Sequence, residues 1–182
     1  MTSLRWFMIF LSLSGTLYAC VNAEQENKED VQQVVKEEHE VKHQAKVITF
    51  EALQQRLANT QGKTLYVNFW ATWCKPCVEE MPAFLKLARE EEDFNLLLVS
   101  LDAPDKRKSK VLPFLKKNDI QQEVVILDHP NGGKWISAIA EEWSGAIPAT
   151  LAVNASKQLR RFHEGTFTYN QLKSFYQQMP NP

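Results

Sequence analysis

Two cysteines three residues apart, Cys74 and Cys77 in the run Trp73-Cys74-Lys75-Pro76-Cys77, directly follow the apolar stretch Leu65-Tyr66-Val67-Asn68-Phe69-Trp70. A pair so spaced at the start of a helix can open and close a disulfide. One thiolate attacks a disulfide and the other thiol resolves the mixed product. The only other cysteine is Cys20. It ends an N-terminal apolar segment expected to be processed, so Cys74 and Cys77 are left to react with each other or with a substrate. A structural staple is the competing reading, since disulfides persist outside the cytoplasm. A loop this small removes little unfolded-chain entropy and would stabilise poorly, which favours the redox role.

Such a pair needs a strand to deliver it and a helix to carry it. Leu65 to Trp70 is apolar without alternation, as in a strand buried on both faces. A helix follows from the dithiol, with Val78, Met81, Leu85 and Ala88 on one side and Pro82 inside it, where a kink is expected. Upstream, Thr49 is placed to cap a helix whose apolar side is Phe50, Leu53 and Leu57, ended by Gly62. Asn95 to Leu101 and Val124 to Leu127 read as further strands, and Ser109 as the cap of a short helix ending near Asn118. After a loop at Asn131-Gly132-Gly133 comes a helical stretch from Trp135 to Trp143. Ile147-Pro148-Ala149-Thr150 leads into a strand to Val153, a turn at Asn154-Ala155-Ser156 and a strand from Leu159 to His163. Thr168 and Gln171 form a capping box for a last helix, in which Tyr169, Leu172, Tyr176 and Met179 repeat at helical spacing. Strands alternating with helices, then a strand pair and a helix, predict a layered α/β domain with a mixed sheet.

The 182 residues allow one domain of ordinary size. A net charge of −1 with 24% charged residues gives no electrostatic case for nucleic acid. Lys106-Arg107-Lys108 and Arg160-Arg161 are short enough to be solvated faces. Arg5 followed by apolar Trp6 to Leu17 reads as an export signal, too short to span a bilayer. Leu17-Tyr18-Ala19-Cys20 is similar to a bacterial lipobox, which makes residues 1–19 the signal peptide and Cys20 the acylated start. Ordinary cleavage after Val21-Asn22-Ala23 is the alternative. Either way the protein is expected outside the cytoplasm. From Glu24 to Lys46 there are seven acidic and four basic residues and no aromatic or glycine, so residues 20–46 read as a polar tether. Fully extended it would reach roughly 90 Å. The folded domain is expected over 47–182. His39-Glu40-Val41-Lys42-His43 spells a zinc-protease pattern, but a polar tether offers no cleft, and coincidence accounts for it. Asn154-Ala155-Ser156 is a glycosylation triplet that a bacterial lipobox makes irrelevant. Trp70 and Trp73 are expected around the dithiol, Trp135 and Trp143 in packing, and His129 and His163 as ordinary loop and strand residues.

Three stretches taken together carry a resemblance: Val67-Asn68-Phe69-Trp70-Ala71-Thr72-Trp73-Cys74-Lys75-Pro76-Cys77, then Glu80-Met81-Pro82, then Gly145-Ala146-Ile147-Pro148-Ala149-Thr150. From about Val47 to Met179 the chain resembles the thioredoxin superfamily, and within it the TlpA/ResA-like extracytoplasmic thiol-disulfide oxidoreductases. The resemblance implies a three-layer fold, a central mixed sheet flanked by helices, with Val124 to Trp143 as a TlpA-type insertion. It makes Cys74 the attacking thiol and Cys77 the resolving one, together the redox-active disulfide. It makes Pro148 a cis-proline beside the dithiol, and Trp73, Ile147 and Pro148 the substrate-binding residues. Asn68 stands where cytoplasmic thioredoxins carry an aspartate. The resemblance gives proton transfer to Glu80, three residues beyond Cys77; a solvated surface glutamate is the alternative. The implied partners are protein thiols or disulfides and a membrane or periplasmic thiol donor, with the protein monomeric, lipid-anchored and without cofactor or bound metal. Reduction of exported proteins, or of apocytochrome thiols awaiting haem, is the expected task. An oxidant or isomerase stands as the alternative, as does a copper or zinc carrier gripping metal through Cys74, Cys77 and His129.

Overall fold

The computed structural model describes residues 44–129 and 133–179. Cys20, the leader, most of the tether and the His39 to His43 motif lie outside the described residues, as do Asn131 and Gly132. The folded part opens with strand β1, Ala45–Thr49, and helix α1, Phe50–Ala58. β1 starts two residues ahead of the expected Val47, and Ala45 is fully buried. The Thr49 hydroxyl accepts the Ala52 N–H at 3.3 Å, capping α1 as its sequence predicts.

β2, Leu65–Trp70, is buried at all six positions because helices cover both faces of the sheet. Its pleat turns Leu65, Val67 and Phe69 to one side and Tyr66, Asn68 and Trp70 to the other. Helix α2, Lys75–Glu90, starts at the dithiol and continues through Pro82. Its buried side is Cys77, Glu80, Met81, Phe84, Leu85 and Leu87. Val78 and Ala88, expected on the apolar side, lie at its margin, since the buried stripe is centred one position earlier. β3 is Asn95–Ser100. The expected cap at Ser109 does not form: a 3-10 turn, Pro104–Lys106, and a π turn, Arg107–Val111, run unbroken into α3, Leu112–Lys117, and Ser109 lies inside the coil.

β4, Glu123–Asp128, leads to α4, Lys134–Ile139. α4 is shorter than the expected Trp135 to Trp143, because Ala140 turns to extended backbone. β5, Ala149–Asn154, and β6, Leu159–Glu164, form a terminal hairpin. Asn154 is fully buried, with its amide donating to the Gly62 carbonyl at 3.0 Å, so its triplet is a turn device and not an accessible acceptor. α5, Tyr169–Gln177, carries the predicted capping box between Thr168 and Gln171.

The strand order is β1-β4-β3-β2-β5-β6. The first four run parallel, and β5 and β6 antiparallel. α2, α3 and α5 bury their apolar sides on one face, and α1 and α4 on the other. The result is the expected three-layer α/β arrangement, with Val124 to Trp143 supplying an inner strand and a covering helix.

Candidate active site

Cys74 and Cys77 are joined in a disulfide, with Cα atoms 5.3 Å apart. β2 delivers the chain to the C-terminal end of the sheet, and Cys74 becomes the N-cap of α2. The Cys77 N–H donates to Cys74 Sγ at 3.3 Å. A thiolate formed at Cys74 would therefore meet an unpaired helix N–H and the positive end of a 16-residue helix. Cys74 is 5% exposed and Cys77 wholly buried, so the sulfur expected to be open to attack has only a narrow face to solvent. Part of its cover is the Ile147 carbonyl, whose oxygen lies 3.6 Å from Cys74 Sγ. Trp73 beside it is 68% exposed, a large apolar surface at the mouth of the site.

The peptide bond between Ile147 and Pro148 is cis. Four hydrogen bonds fix the segment around it. The Trp143 indole donates to the Ala146 carbonyl at 2.8 Å. Glu164 accepts both the Ser144 N–H and its hydroxyl at 2.7 Å, and the Gly165 N–H donates to the Pro148 carbonyl at 2.9 Å. Ile147 is thus held as a shelf against the dithiol.

One turn beyond Cys77 on α2, Glu80 is only 4% exposed. One carboxylate oxygen accepts the Asn68 amide at 2.9 Å and the other the Phe167 N–H at 2.8 Å. Burial pushes its pKa up to about 7, against the pull of those two donors. Asn68 also donates to the Thr150 hydroxyl at 3.2 Å, its cross-strand partner on β5. Cys74, Cys77, Glu80, Asn68, Ile147 and Pro148 therefore converge at one end of the sheet.

Residues 51–178 match the family described as Redoxin. The chain belongs to the Redoxin family. The thioredoxin-like protein YneN of Bacillus subtilis is 30% identical over 126 residues, 69% of this chain and 70% of that protein. The thiol-disulfide oxidoreductase ResA of Bacillus cereus strain ATCC 10987 is 29% identical over 171 residues, covering 92% and 91% of the two chains. Among solved structures, a thiol:disulfide interchange protein of the thioredoxin family from Chlorobium tepidum shares the fold, with a TM-score of 0.53 at 19% identity over 68% of this chain and 82% of that one. Within Redoxin this protein is a TlpA/ResA-like member of the thioredoxin superfamily, and it is a thiol–disulfide oxidoreductase.

Two features of this Redoxin site escape a linear reading. Asp102, 2% exposed just past β3, accepts the Thr72 N–H at 2.8 Å, the Thr72 hydroxyl at 2.6 Å and the Ser100 hydroxyl at 2.8 Å. It latches the turn that carries Trp73 and Cys74. A lone aspartate at a strand end has no periodicity or motif to reveal it; only the pairing of β2 with β3 brings Ser100 opposite Trp70. His129 stacks on Trp135, ring centroids 5.1 Å apart, and Trp135 packs on the face opposite α2. The three-ligand grip imagined for a metal carrier does not come together there.

Proposed function

We propose that this protein reduces disulfides of other proteins outside the cytoplasm, with Cys74 attacking, Cys77 resolving and Glu80 taking the proton of Cys77. The Cys74 thiolate attacks one sulfur of a substrate disulfide, forming a mixed disulfide and releasing one substrate thiolate. Cys77 then gives its proton to Glu80 and attacks Cys74 Sγ. The second substrate thiolate leaves, two electrons have passed to the substrate, and the Cys74–Cys77 disulfide remains. A membrane or periplasmic thiol donor must restore the dithiol. Trp73 and the Ile147–Pro148 shelf are the surfaces against which a substrate strand would lie, using main-chain hydrogen bonds that tolerate many sequences. Apocytochromes awaiting haem are one such substrate class.

The observation that carries this reading is Glu80, a buried carboxyl group of raised basicity on the same helix as the resolving cysteine and one turn beyond it. The test is substrate trapping joined to a redox titration. Cys77→Ser should accumulate mixed disulfides with substrates, and Cys74→Ser should not; equal trapping would overturn the division of roles. Equilibration of the wild type across a glutathione series should leave it oxidised where glutathione remains largely reduced. The opposite order would make it an oxidant.

A further inference from the structure

His163 lies on β6, directly opposite Thr150, which is opposite Asn68. The three therefore stand in one row across β6, β5 and β2. The imidazole stacks on the Phe167 ring with centroids 4.0 Å apart and planes 27° from parallel. Its Nε2 is buried and has no hydrogen-bond partner among the described residues. It faces Gly165, where a Cβ would sit 3.8 Å away. Glu80 on α2 accepts the Phe167 N–H, and Arg161 and Glu164 flank His163 along β6. Arg161 lies over Phe175 and Glu164 is bound to Ser144, so neither is bonded to the ring.

Gly165 to Phe167 is the short link between β6 and α5, and it does two things. Its Gly165 N–H holds the Pro148 carbonyl, and its Phe167 N–H holds Glu80. Among the described residues, His163 is the ring of β6 that stacks on this link. The geometry points to His163 as a positioning residue that fixes the Gly165–Phe167 link and thereby joins the Glu80 carboxylate to the cis-proline shelf. Its role in turnover rests on the assignment of Glu80 as proton acceptor. Its role in placing the Phe167 N–H does not.

The stack holds that N–H on Glu80, and a hydrogen bond to the charged form favours ionisation. Losing the stack should therefore move the Glu80 titration upward. His163→Val removes the ring but keeps a strand-forming side chain at an edge position, and His163→Phe keeps the stack without the nitrogens. The Glu80 carboxyl carbon is followed by NMR in the oxidised protein, and disulfide reduction rates are measured from pH 5 to 9, for both variants, wild type and Glu80→Gln. In His163→Val the Glu80 inflection should rise by about one pH unit, and the acid limb of the rate profile should rise with it. That displacement is about a tenfold loss of rate at a fixed pH on the limb. His163→Phe should match wild type in both readouts. An unmoved Glu80 inflection in His163→Val, or an equal displacement in His163→Phe, would overturn the proposal. If Glu80→Gln retains the wild-type acid limb, the assignment of Glu80 as base fails instead, and the carboxyl titration still judges His163.

Discussion

Glu80 is a carboxyl group whose surroundings work against its charge. Its pKa in the folded protein, about 7, lies above the ordinary 4.5. Between those values the native state holds a proton that the unfolded chain has released, so stability falls as pH rises through 7. The loss amounts to roughly 3 kcal/mol when complete. Glu80→Gln removes this dependence: denaturant melts of the oxidised protein should show wild type weakening between pH 5 and 8, while the variant stays level. The same substitution should slow disulfide reduction near neutral pH by about 10²–10⁴-fold. The defect should shrink at higher pH, where Cys77 ionises unaided. With a neighbouring negative charge gone, the apparent thiol pKa values should fall, as thiolate absorbance across a pH series would measure. A variant with unchanged rates and thiol titration would return Glu80 to a packing role. Much of this was readable in the chain, since Cys74, Cys77 and Glu80 fall at one-turn spacing and Ile147-Pro148 stands in a recognisable stretch. His163 and Thr150 were not, because their meaning comes from register: only strand pairing sets 163 beside 150 and 150 beside 68.

The segment between β2 and α2 shows how a turn can be held by something other than its own residues. Asp102 offers one buried carboxylate to three donors, two of them from Thr72. Asp102→Ala would strip the acceptor from the buried Ser100 hydroxyl and from the two part-buried donors of Thr72. The expected cost is about 3 kcal/mol of stability, read from denaturant midpoints. Mixed-disulfide formation in the Cys77→Ser background should slow as well, since Trp73 and Cys74 ride on the loosened turn. Asp102→Asn keeps one accepting oxygen and should lose less on both counts. Equal losses would mean that charge, and not the three hydrogen bonds, holds the turn. Elements built on one periodic signal were the legible ones: α1 with its Thr49 cap, β2, β3 and α5 with its capping box. β1 was hidden, since Ala45 to Thr49 carries little apolar weight and takes its place only through pairing with β4. Ser109 misled because a good capping residue has no effect where the preceding backbone is already coiled.

For the molecule as a whole, the fold mixes four parallel strands with an antiparallel hairpin, and the dithiol, the cis-proline and Glu80 meet where β2 borders both kinds of neighbour. Among the described residues no helix is long and apolar enough to cross a membrane. We propose attachment through Cys20 on the strength of Leu17-Tyr18-Ala19-Cys20 alone, and mass spectrometry of the mature N-terminus should find a chain beginning at Cys20 and carrying acyl groups. An unacylated chain beginning at Glu24 would instead leave the protein free in the periplasm. The sheet order also bears on how the molecule is assembled in time. Among the described strands β1 is the first to be synthesised, yet its hydrogen-bonding partner is β4, with Ala45 opposite Val124. Loop closure over that span comes late, after β2 and β3 are able to pair with each other. The start of β1 is thus secured by a strand from the last third of the chain. Until Glu123–Asp128 has emerged, Ala45–Thr49 is a strand without its neighbour, and a nascent chain halted before that point would present it to chaperones or proteases.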